Sequence, residues 1–160
     1  MSMFVLARAV TSAALFIGFL LIFLAARILS STGVTQPSAI GVWQVAGVAL
    51  GTCGALLALT CILTFAFVGR GTPAPFDPPR RLVVRGPYHL VRNPMYVGAG
   101  FALAGASLFY QSVPLVGYTG VFLIVSHVFV VLYEEPTLRK MFGKDYEAYC
   151  RRVGRWWPKG

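Results

Sequence analysis

The residues best placed to do chemistry begin at Asn93, in the stretch RGPYHLVRNPMYVGAG that covers residues 85–100. Asn93 precedes a proline, which biases its backbone away from the helical region, and Pro94 suits the first position of a helix. The pattern predicts a helix start with Asn93 as its N-cap, where backbone N–H groups could bind a carboxylate or a phosphate. Tyr96, Gly98 and Gly100 follow, and the two glycines would let a ligand lie against the helix. A capped membrane helix with an interfacial tyrosine and packing glycines explains the same residues equally well.

A second candidate is the acid pair Glu134-Glu135, because the chain has only five acidic residues and these two are adjacent. Two carboxylates at the point where the last predicted span leaves the membrane could bind an ammonium group or the hydroxyls of a ribose. They could equally form the acidic first turn of a helix, with Pro136 at its start and the helix dipole stabilising the charge. The residues alone do not decide between these two interpretations.

Other polar residues near these stretches have weaker interpretations. His127 lies inside an apolar run, where a polar side chain indicates function or pairing with a neighbouring helix. Tyr88 could stack on a base or anchor the chain at the interface. Trp156 and Trp157 are most simply interpreted as an aromatic anchor at the lipid headgroups. The three cysteines form no cluster with the histidines, so no metal site is expected.

These residues must be positioned by a largely apolar chain, since 57% of the 160 residues are hydrophobic and only 12% are charged. Ordinary soluble domains have about 25% charged residues, so the composition indicates an integral membrane protein. A span needs about 20 apolar residues, so the third apolar run is short and is expected to be tilted or buried among its neighbours. The four runs, each a predicted transmembrane helix, are Phe4 to Leu29, Ile40 to Val68, Pro94 to Tyr110 and Val113 to Tyr133.

Positive charge sets the expected topology. Twelve of the fourteen Lys and Arg residues lie in Arg70 to Arg92 and Arg139 to Lys159, whereas residues 30–39 and 111–112 are uncharged. The positive-inside rule then places both termini and both basic stretches in the cytoplasm. Such stretches attract anionic membrane lipids and do not indicate nucleic-acid binding. Arginine outnumbers lysine eleven to three, which favours a GC-rich bacterial source and hence the bacterial inner membrane.

The remaining segments complete an all-α membrane domain. The short connection at Gln111-Ser112 makes the last two spans a helical hairpin. Residues 69–88 contain five prolines, which exclude a long helix, and we expect them to fold back on the protein. The tail is predicted to be helical from about Pro136, with a break at Gly143. The single domain covers residues 1–160, with two N-terminal transmembrane helices over residues 1–68 and a core over residues 69–160. Apolar residues recur at helical spacing in the tail at Leu138, Met141, Phe142, Tyr146, Tyr149 and Val153.

Two motifs together make the sequence resemble a known family. GPYHLVRNPMYVG, followed two apolar runs later by EEPTLRKMFGKDYEAY, is similar to the isoprenylcysteine carboxyl methyltransferases. These enzymes group with the phospholipid N-methyltransferases as membrane-embedded methyltransferases, and the resemblance covers roughly Gly71 to Pro158. It implies S-adenosylmethionine as the methyl donor and a cofactor pocket at the cytoplasmic face, covered by the C-terminal tail. It also implies a lipid-like or amphiphilic acceptor that enters from the bilayer.

The resemblance implies roles for particular residues as well. Glu134 and Glu135 match the paired acids of both groups, and Gly98 and Gly100 match a glycine pair of the phospholipid enzymes. The carboxyl methyltransferases usually have His where this chain has Asn93, which is the residue of the phospholipid enzymes. The residues implied to be catalytic are Glu134, Glu135, Asn93 and Tyr96. The residues implied to bind the cofactor are Leu82, Val83, Tyr88, Asn93, Pro94, Met95, Tyr96, Gly98, Gly100, Glu134 and Glu135.

Two other functions remain open from the sequence. A sterol-reductase-like enzyme that uses NADPH would need clustered arginines for the 2′-phosphate, and Arg80, Arg81 and Arg85 could supply them. A non-enzymatic scaffold or small transporter is the other alternative. Transporters usually place polar groups near the membrane midplane, whereas nearly all polar groups here lie at one face. The acceptor, the methylated atom (O, N or S) and the number of copies are not determined by the sequence.

Overall fold

The described part of the chain is helical. The computed structural model describes residues 17–34, 37, 39–69 and 82–159. A π-helical segment, Ile17–Phe23, continues as helix α1, Leu24–Ser31. Helix α2 covers Val42–Thr64 and continues as the π-helical segment Phe65–Gly69. The proline-rich residues 70–81 and the start of the first apolar run lie outside the described residues.

The second half begins with a short 3-10 helix, Gly86–His89, which packs against α2. Helix α3, Pro94–Tyr110, and helix α4, Val113–Phe129, follow. A π-helical segment, Val130–Glu134, joins α4 to helix α5, Glu135–Arg152. Within the described ranges the only extended pairing is a single parallel bridge between Val91 and Gly154.

The predicted hairpin is confirmed. Gln111 adopts a left-handed conformation, with φ of 49°, and Ser112 caps α4 by accepting a hydrogen bond from the Leu115 backbone N–H. Leu103 of α3 and Leu115 of α4 are completely buried in one core, to which α1 contributes Ala25. The predicted break in the tail is also confirmed, because Gly143 has non-helical backbone angles inside α5.

Two helical stretches are long and apolar enough to cross a membrane, α2 and the continuous Val113–Arg152. Large apolar side chains point outward along both, such as Val42, Leu56, Val121 and Ile124, as expected for helices that face lipid. The apolar part of the second stretch ends at Tyr133, before the acid pair. Helix α3 is shorter and buried between α2 and α4, as its length predicted. That all four apolar runs cross the membrane remains a prediction.

Glycines allow α2 and α3 to pack with their backbones in contact. A Cβ atom on Gly54 would lie 2.4 Å from the carbonyl oxygen of Gly98 and 2.6 Å from the backbone nitrogen of Ala102. A Cβ atom on Gly105 would meet Gly47 and Gly51 at similar distances. Small residues permit such close approach between membrane helices. This contact fixes α3, and therefore the start of α3, against α2.

We expect Gly54→Ala to lower the free energy of unfolding by roughly 1–3 kcal/mol, because the new methyl group meets backbone atoms that cannot move aside. Gly51→Ala is the matched control on the same helix, since a Cβ atom there has nothing within 4 Å. Unfolding by sodium dodecyl sulfate titration in mixed micelles measures both variants. Equal stability of the two variants would contradict the close-packed interface.

Candidate functional site

The two sequence motifs meet where the C-terminal tail lies beside the start of α3. The Arg92 backbone N–H donates to the Gly154 carbonyl at 2.8 Å, next to the Val91–Gly154 bridge. The Asn93 side-chain amide donates to the Arg155 carbonyl at 3.3 Å. The acid pair at the end of the Val130–Glu134 segment faces the same junction. Three segments distant in sequence therefore form one candidate site.

Glu134 pairs with Tyr96 of α3. The Tyr96 hydroxyl donates to Glu134 Oε1 at 2.7 Å, and the Tyr96 side chain is buried. Burial raises the pKa of Glu134, the Tyr96 hydrogen bond partly opposes that rise, and the neighbouring Glu135 charge adds to it. Glu134 also ends a π-helical segment, a feature frequently found at functional sites.

Glu135 is held by two arginines. Arg155 donates to it from both Nε, at 2.7 Å to Oε1, and Nη2, at 2.9 Å to Oε2, while Arg92 Nη1 lies 3.1 Å from Oε1. Burial alone would raise the pKa of Glu135. The Arg155 hydrogen bond and the positive charges of Arg92 and Arg155 outweigh it and lower the pKa overall. The adjacent acids are thus shifted in opposite directions, which is how paired carboxylates acquire different tasks.

Arg92 links this ion cluster to the tail helix. Its Nη1 donates to the Cys150 sulfur at 2.7 Å and to the Tyr146 hydroxyl at 3.5 Å. Its buried Nε has no hydrogen-bond partner among the described residues. Arg92 and Arg155 were not among the predicted site residues. Their only sequence signal is that a buried carboxylate needs a cationic partner, and that rule does not choose one among fourteen basic residues.

The predicted cofactor-binding residues before α3 lie in two neighbouring clusters. Val83 and Tyr88 are buried with the half-buried Met95 against the end of α2. Leu82 packs instead against Tyr146 and Tyr149 of α5 and Val153, which follows that helix. The Tyr149 hydroxyl donates to the Tyr88 carbonyl at 2.6 Å and joins the two clusters. Met141 of the predicted tail stripe is exposed.

Helix α3 starts where the sequence predicted, although Asn93 acts differently. Asn93 occupies the N-cap position and Pro94 the first turn, but the Asn93 side chain makes no capping hydrogen bond. The expected side-chain cap is therefore wrong, because the amide donates to the tail carbonyl of Arg155 instead. The Asn93 side chain therefore does not cap the backbone N–H groups in the first turn of α3, where an anion was expected to bind.

The two glycines of α3 lie at helix contacts. A Cβ atom on Gly98 would be 2.8 Å from the Gly54 carbonyl, and one on Gly100 would be 2.9 Å from Leu123 Cδ2. These contacts support the packing interpretation of the pair. Their expected role beside a ligand stays a prediction.

Trp156 connects the tail to α4. Its indole N–H donates to His127 Nδ1 at 3.0 Å, and its ring lies edge-to-face on Tyr96 with centroids 6.4 Å apart. The neighbouring Trp157 is 79% exposed. The expected headgroup anchor remains a prediction for Trp157, whereas Trp156 points into the site.

Residues 42–145 match the phospholipid methyltransferase family. The match covers well over half of the chain and includes α2, α3, α4 and the acid pair. The chain belongs to the phospholipid methyltransferase family. Neither a curated protein nor a solved structure matches it.

Membership of the phospholipid methyltransferase family confirms the resemblance inferred from the two motifs. It makes the protein a membrane methyltransferase in general and does not favour the reductase or the scaffold. Asn93 lies inside the matched range. The family match ends before Arg155 and Trp156, so the contacts of the tail with the site are features of this chain outside the matched range.

Proposed function

We propose that the protein transfers a methyl group from S-adenosylmethionine to a lipid-like or amphiphilic acceptor. The observation that carries this proposal is the buried Tyr96–Glu134 pair, which lies inside the family match and beside the start of α3. Glu135 is already engaged by two arginines. Glu134 is therefore the acid of the pair that we assign to the ligands.

The residues at the site suit a ligand with a cationic centre and one carboxylate. Glu134 contributes negative charge, and the aromatic ring of Tyr96 lies beside it. Aromatic faces attract a sulfonium by cation–π contact, worth about 2 kcal/mol when the cation is desolvated. The start of α3 offers backbone N–H groups to a carboxylate. The proposed cofactor-binding set is therefore Leu82, Val83, Tyr88, Asn93, Pro94, Met95, Tyr96, Gly98, Gly100 and Glu134, and Glu135 leaves it because two arginines hold it.

Methyl transfer requires the protein chiefly to align the methyl donor with the acceptor atom. The bound cofactor supplies a methyl group on a positively charged sulfur, and the methyl moves to a nucleophilic atom of the acceptor as the sulfur takes the bonding electron pair. Holding the two reacting centres in line supplies much of the rate enhancement. Glu134, with its raised pKa, is placed to take a proton from the acceptor or to bind a ribose or amino group of the cofactor.

The proposed setting follows from charge and hydropathy. Four spans would place both termini and the site at the cytoplasmic face, with the acceptor entering from the bilayer. The basic segments beside the site would favour an anionic membrane surface. We place the protein in a bacterial inner membrane.

Calorimetric titration of the detergent-purified protein tests the cofactor. We expect S-adenosylmethionine and S-adenosylhomocysteine to bind with roughly micromolar affinity, and NADPH not to bind. Arg85, the described member of the arginines considered for a 2′-phosphate, is exposed and does not adjoin the acid pair in any described contact. Binding of NADPH by a folded protein that ignores S-adenosylmethionine would overturn the proposal.

A further inference from the structure

The side chain that bonds Glu134 is itself held by the tail. Tyr96 donates to Glu134, Trp156 lies edge-to-face on Tyr96 with an interplanar angle of 72°, and Trp156 donates to His127. His127 and Glu134 are seven residues apart, about two helical turns. The four side chains thus form a row that starts at His127 on α4 and ends at Glu134, the last residue of the π-helical segment that follows α4. We call this row the His127–Glu134 row.

The hydrogen bond at the far end of the row has a fixed direction. An indole N–H can only donate, so Trp156 is the donor and Nδ1 of His127 is the acceptor. A polar side chain in an apolar span is costly unless it has a partner. His127 itself is exposed, and its hydrogen bond and ring contact with Trp156 hold the indole beside α4.

Two adjacent tail residues act on the two adjacent acids, one by direct contact and the other through Tyr96. Arg155 contacts Glu135 directly through two hydrogen bonds, and the next residue, Trp156, reaches Glu134 through Tyr96. The Arg155 carbonyl also accepts from Asn93, which fixes the tail backbone where Trp156 begins. Adjacent tail residues therefore determine the surroundings of adjacent acids.

We propose that Trp156, oriented by His127, is a positioning residue that sets the placement of the Tyr96 hydroxyl on Glu134. This inference rests on the proposed methyl transfer at Glu134. Neither His127 nor Trp156 is assigned a contact with the reacting atoms. Since a misplacement of about 1 Å can cost a hundredfold in rate, loosening Tyr96 should slow the reaction more than it weakens cofactor binding.

Five variants, four single and one double, test the row in methyl transfer from labelled S-adenosylmethionine to a total bacterial lipid extract. Trp156→Phe keeps a ring without the N–H, and His127→Leu removes the acceptor. Each should lower the initial rate about tenfold, and the double variant should be no slower than either single. His127→Asn, which keeps an acceptor oxygen, should stay within about threefold of wild type. Trp157→Phe, on the exposed neighbour, should not change the rate. The affinity for S-adenosylhomocysteine, measured by calorimetry, should stay within about twofold throughout.

A second readout needs no acceptor. The chain has three tryptophans, so ¹⁵N NMR of the indole groups gives three resolvable signals in micelles. The Trp156 indole proton should exchange with water more slowly than that of Trp157 and should shift in His127→Leu and in Tyr96→Phe. An unprotected Trp156 signal, additive rate losses, or failure of His127→Asn to preserve the rate would each overturn the positioning role. Absence of S-adenosylmethionine binding by wild type, with the NMR pattern intact, would overturn the methyl-transfer function instead.

Discussion

Replacing Glu134 by glutamine is expected to slow methyl transfer at least about 100-fold, the lower end for loss of a proton-accepting or charge-stabilising group. Glutamine has nearly the same shape and can still accept the Tyr96 hydrogen bond, so the fold should persist. The ion pairs of the site belong to Glu135 and are not touched. Labelled methyl transfer to lipid extract measures the rate, and calorimetry on the same sample measures cofactor affinity.

The two measurements separate the two tasks considered for Glu134. Loss of S-adenosylmethionine binding assigns the carboxylate to the cofactor, whereas loss of rate with binding retained assigns it to the acceptor. Because burial raises the pKa of Glu134, activity that needs its carboxylate should decline as the pH falls through that raised value. The residual rate of the Glu134→Gln variant should not show this decline at low pH. A Glu134→Gln enzyme within fivefold of wild type would remove this residue from the mechanism.

Replacing Glu135 by glutamine should instead act on stability. The change leaves Arg92, which is 11% exposed, and Arg155 without their buried carboxylate, and breaking a buried ion pair in this way costs about 3 kcal/mol. This figure takes the lower end of the usual range because Arg155 is 32% exposed. At about 1.4 kcal/mol per factor of ten, the folding equilibrium would shift more than a hundredfold. Titration with sodium dodecyl sulfate measures the loss.

Glu147→Gln is the matched control, because Glu147 lies on the same helix and is exposed. It should unfold at the wild-type detergent fraction. The pKa of Glu135 is lowered in the folded protein, so its contribution is complete at neutral pH and is lost as the pH falls through the folded-state pKa. The stability difference between wild type and Glu135→Gln should therefore shrink in acid. Equal unfolding of the two glutamine variants at neutral pH would contradict the structural role of Glu135.

Together these expectations divide the acid pair into a ligand-facing residue and a structural one. Identical side chains one position apart acquire different surroundings because successive residues of a helix point about 100° apart. Glu134 turns toward α3 and meets Tyr96, whereas Glu135 turns toward the tail and meets Arg155. A motif of two acids therefore does not by itself assign two ligand contacts.

Features governed by a few neighbouring residues were predictable. Proline fixes its own φ and restricts the residue before it, so the start of α3 at Pro94 could be placed from the sequence. Its end at Tyr110, with the hairpin that follows, and the break at Gly143 are likewise local. Composition showed a chain suited to a membrane, and two motifs in order showed the family that residues 42–145 confirm.

The partners of the site residues could not be placed in the same way. Arg92 and Arg155 are 63 positions apart, since 155 − 92 = 63, and both read as ordinary basic residues beside a membrane. Trp156 and Trp157 are the same residue type at adjacent positions, so the sequence does not distinguish them. In the structure Trp156 faces the site and Trp157 faces outward. The Asn93 amide donates to a tail carbonyl because the bridge between Val91 and Gly154 brings that carbonyl within reach.

The sequence by itself determined the helices, their breaks, the lipid-compatible surface and the family, since each depends on local backbone preference or on an ordered motif. Only the tertiary structure decided which acid pairs with two arginines and which accepts a hydrogen bond from Tyr96. That choice depends on where the tail folds back, and the tail is held by hydrogen bonds and ion pairs between residues far apart in the chain. Sequence spacing carries no information about such pairings until the helices are packed.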